Sequence, residues 1–167
     1  MKSHQFRDDF YGAARKATSL SLDIWADYDA LYWDPCKHFF RLVAGAPHLR
    51  HLGIKSRNEF DPALHVFAED HLVDRGTIGR EILSQTFPAL QSLEMRFLNI
   101  CLADLVKFLN RHPRVARVKL VSVKIEWRGY GDELDGSMGL QLTRDLARVT
   151  NRSVFDVDSC SKMWTRW

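Results

Sequence analysis

A short phrase built around proline recurs along the chain and constrains its fold more than any other feature. The phrase reads APHLRHLGIKS from Ala46, FPALQSLEMRF from Phe87 and HPRVARVKLVS from His112. In each copy, apolar residues follow the proline by two, five and seven positions. Weaker copies, SLSLDIWADY and RSVFDVDS, begin at Ser19 and Arg152. Self-similarity of this kind is typical of proteins built from stacked structural repeats.

Each phrase predicts a short strand, because apolar residues at alternate positions place one strand face in a core. The steps between the predicted strands are 30, 41, 25 and 37 residues when these residues are taken as equivalent: Leu22, Leu52, Leu93, Val118 and Phe155. Only the step of 25 lies within the range of about 20–29 residues that leucine-rich repeats use. The others require insertions, and we predict long loops near 56–77 and 126–139, the first with a short helix around 63–70.

A helical pattern precedes each predicted strand. Apolar residues recur at helical spacing in SHQFRDDFYGAARKA, CKHFFRLVAGA, REILSQTF, LADLVKFLNRH and MGLQLTRDLARV. Parallel strands need a crossover connection, and each helix supplies one. We therefore predict a single α/β domain over residues 1–167, an irregular leucine-rich-repeat-like solenoid. It has about five helix–strand units, a short parallel sheet and helices on the other side. The alternative is a compact α+β domain in which the repeats are coincidental.

The segments FPALQSLEM and DLVKFLNRHPRVARVKLVSVKIEW resemble the degenerate leucine-rich-repeat regions of fungal F-box-like proteins. The resemblance covers roughly Cys36 to Val157 and is clearest from Phe87 to Trp127. It implies a protein-binding solenoid that serves as the substrate-recognition region of a ubiquitin-ligase receptor, with the ligase adaptor as a further partner. An F-box, the helical segment that docks that adaptor, is not visible in MKSHQFRDDFYGAARKA.

The strand residues that alternate with the predicted core form a candidate interaction surface. It carries six candidate partner-binding residues: Trp25, Lys55, Glu94, Arg96, Arg117 and Lys119. The centre of this surface is basic and its two ends are acidic, which predicts an acidic protein segment as the partner. Trp25 is the predicted aromatic anchor. The alternative is that Glu94 pairs with Lys119, and Lys55 with its neighbours, as ordinary cross-strand contacts.

Charge and motifs argue against other functions. The chain has 24 Lys and Arg against 21 Asp and Glu, a net charge of +3, and no run of basic residues. Non-specific nucleic-acid binding needs a concentrated basic face, so weak binding through the basic strand centre is only an alternative. No phosphate-binding, dinucleotide or nucleophile-elbow motif is present. We predict a non-enzyme without a cofactor; the alternative is an enzyme site joining His65, Asp70 and His71 with the loop at 126–139.

The cysteines and the chain's hydropathy complete the predictions. Cys36, Cys101 and Cys160 lie far apart without CxxC spacing, which predicts reduced, buried thiols and no structural metal. The N-terminus lacks a signal-peptide core, and no stretch approaches the roughly 20 apolar residues of a spanning helix. We expect an intracellular protein, cytoplasmic or nuclear, without a membrane partner. The exposed ends of a short solenoid leave edge-to-edge homodimers open.

Overall fold

The computed structural model describes residues 12–13, 15–24, 43, 46–56, 72–127 and 140–163. Eight strands and three helices have defined bounds in this part of the chain. The strands are β1 Ser19–Ile24, β2 His51–Ser56, β3 Ser92–Arg96, β4 Asn99–Cys101, β5 Arg117–Val121, β6 Lys124–Glu126, β7 Phe155–Asp158 and β8 Ser161–Met163. The helices are α1 Leu72–Ser84, α2 Leu102–Arg111 and α3 Leu140–Thr150. No described helix has the length and apolar character needed to cross a bilayer.

The strands form two parallel sheets. The larger sheet has the order β1-β2-β3-β5-β7, and the smaller has the order β4-β6-β8. Helix α1 packs against β4 and α2, and α3 packs against β7. The described strands form no closed barrel. The predicted α/β class and the short parallel sheet are confirmed, whereas the smaller sheet was not predicted.

The proline phrase is explained by a tight turn that precedes β2, β3 and β5. In each turn the N–H two residues after the proline donates to the carbonyl before it, at 3.4, 3.1 and 3.1 Å. Proline favours the second position of such four-residue turns, because its ring fixes the backbone angle φ. All nine apolar positions of the three phrases are buried: Leu49, Leu52, Ile54, Leu90, Leu93, Met95, Val115, Val118 and Leu120.

The register of the larger sheet confirms four of the five predicted equivalences and corrects one. Leu52, Leu93, Val118 and Phe155 lie side by side. On β1, however, the residue opposite Leu52 is Leu20, while the predicted Leu22 lies opposite Ile54. The predicted register of β1 is wrong by two residues. The alternating pattern cannot reveal such a shift, because moving a strand by two residues keeps the same face inward. No proline phrase marks the start of β1 to fix its position.

Three left-handed corners connect the larger sheet to the smaller one. Phe97, Ser122 and Ser159 follow β3, β5 and β7 directly and have φ of 55°, 51° and 53°. The Phe97 N–H donates to Val121 O at 3.0 Å, and the Ser122 N–H donates to Asp158 O at 2.8 Å. The parallel hydrogen bonding therefore continues through the corners. Each corner leads the chain into β4, β6 or β8.

The helices bury the faces that their sequence patterns predict, but the loop predictions need correction. Buried helix residues include Ile82, Leu83, Leu102, Leu105, Leu109, Leu142 and Leu146. The predicted loop at 56–77 is wrong at both ends, because Ser56 belongs to β2 and α1 already begins at Leu72. The predicted loop at 126–139 is wrong at its start, because Glu126 belongs to β6 and Trp127 is buried. The rest of both loops, including the predicted short helix, lies outside the described residues.

Two polar side chains hold neighbouring segments together. The buried ring of His112 stacks on Phe108 with centroids 4.0 Å apart. Its Nε2 accepts the Phe87 N–H at 2.8 Å, which leaves Nδ1 to donate to Phe108 O at 2.6 Å. This is the neutral tautomer, and burial lowers the pKa of His112. Half-buried Arg152 donates to four carbonyl oxygens at and beyond the end of α2: Leu109, His112, Pro113 and Val115.

Candidate functional site

One face of the larger sheet is turned away from the core and carries most of the predicted partner-binding residues. Glu94 lies opposite Lys119, and Lys55 lies opposite Arg96. Arg117 begins β5 on the same face. These five residues alternate with buried neighbours and are half-buried or exposed. We call this surface the open face.

The sixth predicted residue, Trp25, lies outside the described residues. Taking Leu22 as equivalent to Leu52 predicts Trp25 beside Lys55 in the sheet. That prediction is wrong, because Asp23 lies opposite Lys55. Asp23 on β1 and Asp156 and Asp158 on β7 are exposed. The open face therefore has acidic edge strands around a mainly basic centre.

Ion pairs on the open face differ from those expected. The Arg96 Nε donates to Glu94 Oε1 at 2.5 Å, and the Arg96 Nη2 contacts the same oxygen. Arg117 pairs with Asp156 at 3.1 Å. The predicted pair between Glu94 and Lys119 is wrong, because Arg96 projects from the same face two residues along β3 and reaches the carboxylate. Both observed pairs are partly exposed, so each contributes less than about 1 kcal/mol to stability.

Two lysines flank the pair on β3. Lys55 lies on β2 and Lys119 on β5, one strand to either side. Both are half-buried, and neither forms an ion pair with any described residue. Since Arg96 and Arg117 are already neutralised by carboxylates, these lysines supply the unbalanced positive charge at the centre of the open face.

An exposed aromatic ring stands at the end of β3. Phe97 is 41% exposed and is the one large hydrophobic side chain exposed among the described residues. It also adopts the left-handed conformation that serine takes at the two equivalent corners. This conformation costs a bulky residue about 1 kcal/mol or more, and such strain clusters at functional sites. Phe97 was not among the residues predicted to bind a partner. The signal that could have found it is a comparison of the three corner positions, two of which carry serine.

The described residues offer little for metal or thiol chemistry. No three of their His, Cys, Asp or Glu side chains converge in a way that could hold a metal ion. Cys160 is buried, as predicted, and burial raises the pKa of its thiol. Cys101 is only half-buried, contrary to the prediction, because it stands where β4 passes into α2. Cys36, and His65, Asp70 and His71 of the alternative enzyme site, lie outside the described residues.

Comparisons with protein-family models, with curated proteins and with solved structures found no match to this chain. Inference about function therefore depends on the geometry and charge of the open face.

Proposed function

We propose that this chain is a non-enzymatic protein-interaction module that binds an acidic protein segment on its open face. The observation that carries the proposal is the position of Phe97. An exposed aromatic ring, held in a strained backbone conformation, lies at the end of the central strand, between the strands that carry Lys55 and Lys119. Aromatic anchors provide much of the binding energy in protein interfaces.

The anchor and the lysines have different roles in this proposal. Full burial of an exposed Phe side chain contributes roughly 1.5–3 kcal/mol. Phe97 is 41% exposed, so covering the rest of its ring contributes about 1 kcal/mol of affinity. The lysines attract the acidic segment and select its orientation, since complementary charge affects association rate and specificity more than affinity. The acidic edge strands repel a segment that approaches off centre.

We also propose that the architecture is an irregular leucine-rich-repeat-like solenoid. Three proline turns, three left-handed corners and two parallel sheets support it. Both sheets advance by the same steps, 25 residues from β3 to β5 and from β4 to β6, and 37 residues to the next strand. Open faces of solenoids commonly bind proteins.

The resemblance to F-box-like proteins supports a more specific proposal. In it, the open face recognises the substrate of a ubiquitin ligase, and the ligase adaptor is a second partner. The acidic segment then belongs to the substrate. Recovery of an adaptor together with a substrate from lysate is the expected result for this role.

The test is capture of partners by the full chain from its own cell lysate, with three variants. Phe97→Ser removes the ring but keeps the residue type found at the other corners. Lys55→Glu/Lys119→Glu reverses the charge of the two lysines. The control, Lys107→Glu/Arg144→Glu, makes the same change in net charge on exposed positions of α2 and α3.

We expect the wild type and the control to capture the same protein, and both open-face variants to lose it. Phe97→Ser should melt near the wild-type temperature, and the charge reversal should melt a few degrees lower while still folding, because it places a carboxylate opposite Glu94. A partner retained by both open-face variants would contradict the proposal. Binding to nucleic acid instead should show a steep dependence on salt concentration. The pairing of Arg96 and Arg117 with carboxylates argues against that alternative.

A further inference from the structure

A basic pocket lies at the other end of the larger sheet, where the strands begin. Its volume is about 340 Å³. The lining side chains that carry charge or polar groups are Lys16, Thr18, His48, Arg50, Gln91 and Arg114, and no carboxylate of a described residue lines it. We propose that this pocket binds the phosphate group of a small soluble molecule, a function separate from protein binding on the open face.

The turns of the fold bring these residues together. His48 and Arg114 directly follow the prolines of two tight turns, and Arg50 and Gln91 directly precede β2 and β3. Residues distant in sequence thus occupy related positions in successive turns. Since the hydrogen bonding of the sheet fixes those turns, the cations are placed by the backbone rather than by long mobile loops.

The backbone at this edge adds little negative charge to the pocket. The Thr18 carbonyl accepts two N–H groups, from Arg50 and His51, at 2.8 and 3.1 Å. The carbonyls of Arg50 and Gln91 each accept two N–H groups from the next strand start in the same way. The lone pairs of these three carbonyl oxygens, which would otherwise repel an anion, are therefore hydrogen-bonded to backbone N–H groups.

The electrostatic field in the pocket therefore comes mainly from its charged side chains. Lys16, Arg50 and Arg114 are exposed, and none of them forms an ion pair with a described residue. Like charges around one pocket repel each other unless an anion lies between them. The pocket therefore presents three uncompensated positive charges to one small volume.

Charge, geometry and size together define the ligand class. Two guanidinium groups provide planar forks that match phosphate oxygens. The volume is near the lower end of the range of about 300–1,000 Å³ that small-molecule sites occupy. Pro47 and Ala89 give the pocket apolar wall that can contact the rest of the ligand. A compact molecule with a doubly charged phosphate or a pyrophosphate group fits these features better than a single carboxylate.

The pocket is well separated from Phe97. Gln91 and Phe97 lie at opposite ends of β3, about 20 Å apart at roughly 3.3 Å per residue. Failure of phosphate binding would thus leave the proposal for the open face untouched, and the reverse also holds.

The test is isothermal titration of the full chain with inorganic pyrophosphate at low salt. The pocket variant is Arg50→Gln/Arg114→Gln, and Lys107→Gln/Arg144→Gln is the control with the same loss of charge. We expect one-to-one saturable binding by the wild type and the control, and affinity about ten-fold or more weaker in the pocket variant, since two charged hydrogen-bond donors are removed.

A second variant, Ala89→Glu, places a carboxylate on the pocket wall without removing a cation, and we expect it to abolish binding. Its melting curve shows whether it is folded. Absence of saturable binding by the wild type, or equal binding by the wild type and the pocket variant, would overturn the proposal. Vesicles containing a phosphoinositide form a separate arm, and binding to vesicles without binding to pyrophosphate would overturn it in favour of a membrane headgroup.

Discussion

Replacement of Gly79 by alanine tests how closely α1 packs against the smaller sheet. An ideal Cβ at this position would lie 2.4 Å from Asn99 O and 2.8 Å from Ile100 Cγ2. The nearer atom belongs to the backbone of β4, so a change of rotamer cannot remove the clash. The helix would have to move by about 1 Å, since ordinary contact begins near 3.4 Å.

Two opposing effects set the magnitude. Overpacking costs roughly 1–3 kcal/mol, and a clash with backbone, which no change of rotamer relieves, belongs at about 2–3 kcal/mol. In the interior of a helix, alanine is more favourable than glycine by about 1 kcal/mol. We therefore expect Gly79→Ala to lower the free energy of unfolding by about 1–2 kcal/mol. For a chain of this size that corresponds to a melting temperature lower by about 2–8 °C.

Gly53→Ala is the matched control. A Cβ at Gly53 would meet Ser21 Oγ at 3.5 Å, which is ordinary contact, and alanine is preferred to glycine inside a strand. Thermal melts followed by circular dichroism should show Gly53→Ala unchanged or more stable, and Gly79→Ala less stable. A Gly79→Ala variant that melts at or above the wild-type temperature would refute the close approach of α1 and β4.

Three further predictions concern the interior. Leu93→Ala should cost about 2–5 kcal/mol in chemical denaturation, because the side chain is fully buried. Arg152→Ala should cost about 1–3 kcal/mol, since it leaves four carbonyl oxygens without their charged donor, and Arg152→Lys should restore only part of that. Burial holds the pKa of His112 below its ordinary 6.5, so the unfolded chain takes up a proton there first. Stability should therefore fall with decreasing pH below about 6.5, by up to roughly 1.4 kcal/mol per pH unit.

Each of these predictions has an internal comparison. Unchanged stability of Leu93→Ala would contradict the burial of Leu93 and the register of β3. Equal stability of Arg152→Ala and the wild type would show that solvent replaces the guanidinium. For His112, the pH dependence of the wild type should exceed that of His112→Gln between pH 7 and the folded-state pKa, and identical profiles would contradict the buried neutral ring. Above about pH 7.5 this histidine should contribute no pH dependence, because it is neutral in both states.

Much of the larger sheet could be predicted because a rigid marker precedes three of its strands. Proline fixes φ at the turn, and the positions two, five and seven residues later must then enter the core. This reasoning placed Leu93 and Val118 correctly. It failed by two residues at Leu22, where no proline stands and alternation alone cannot distinguish positions two apart.

The smaller sheet and the details of the open face could not be predicted in this way. A strand of three residues, such as β4, is too short to show alternation. The pairing of Glu94 with Arg96 rather than Lys119 depends on side-chain reach, since both partners project from the same face. The exposure of Phe97 depends on the corner, and the hydrophobicity of its side chain suggests burial instead.

The equal advance of the two sheets has a consequence for how such a chain can evolve. The step from Val118 to Phe155 is 37 residues, 12 more than the step from Leu93 to Val118. Most of the difference lies between β6 and α3, which residues 127–139 separate, whereas α2 follows β4 directly. Descendants of one ancestor could therefore differ in length between β6 and α3 while keeping every pairing of the described strands. Kinship among such chains should be sought in the spacing from proline to corner, with the intervening length left free.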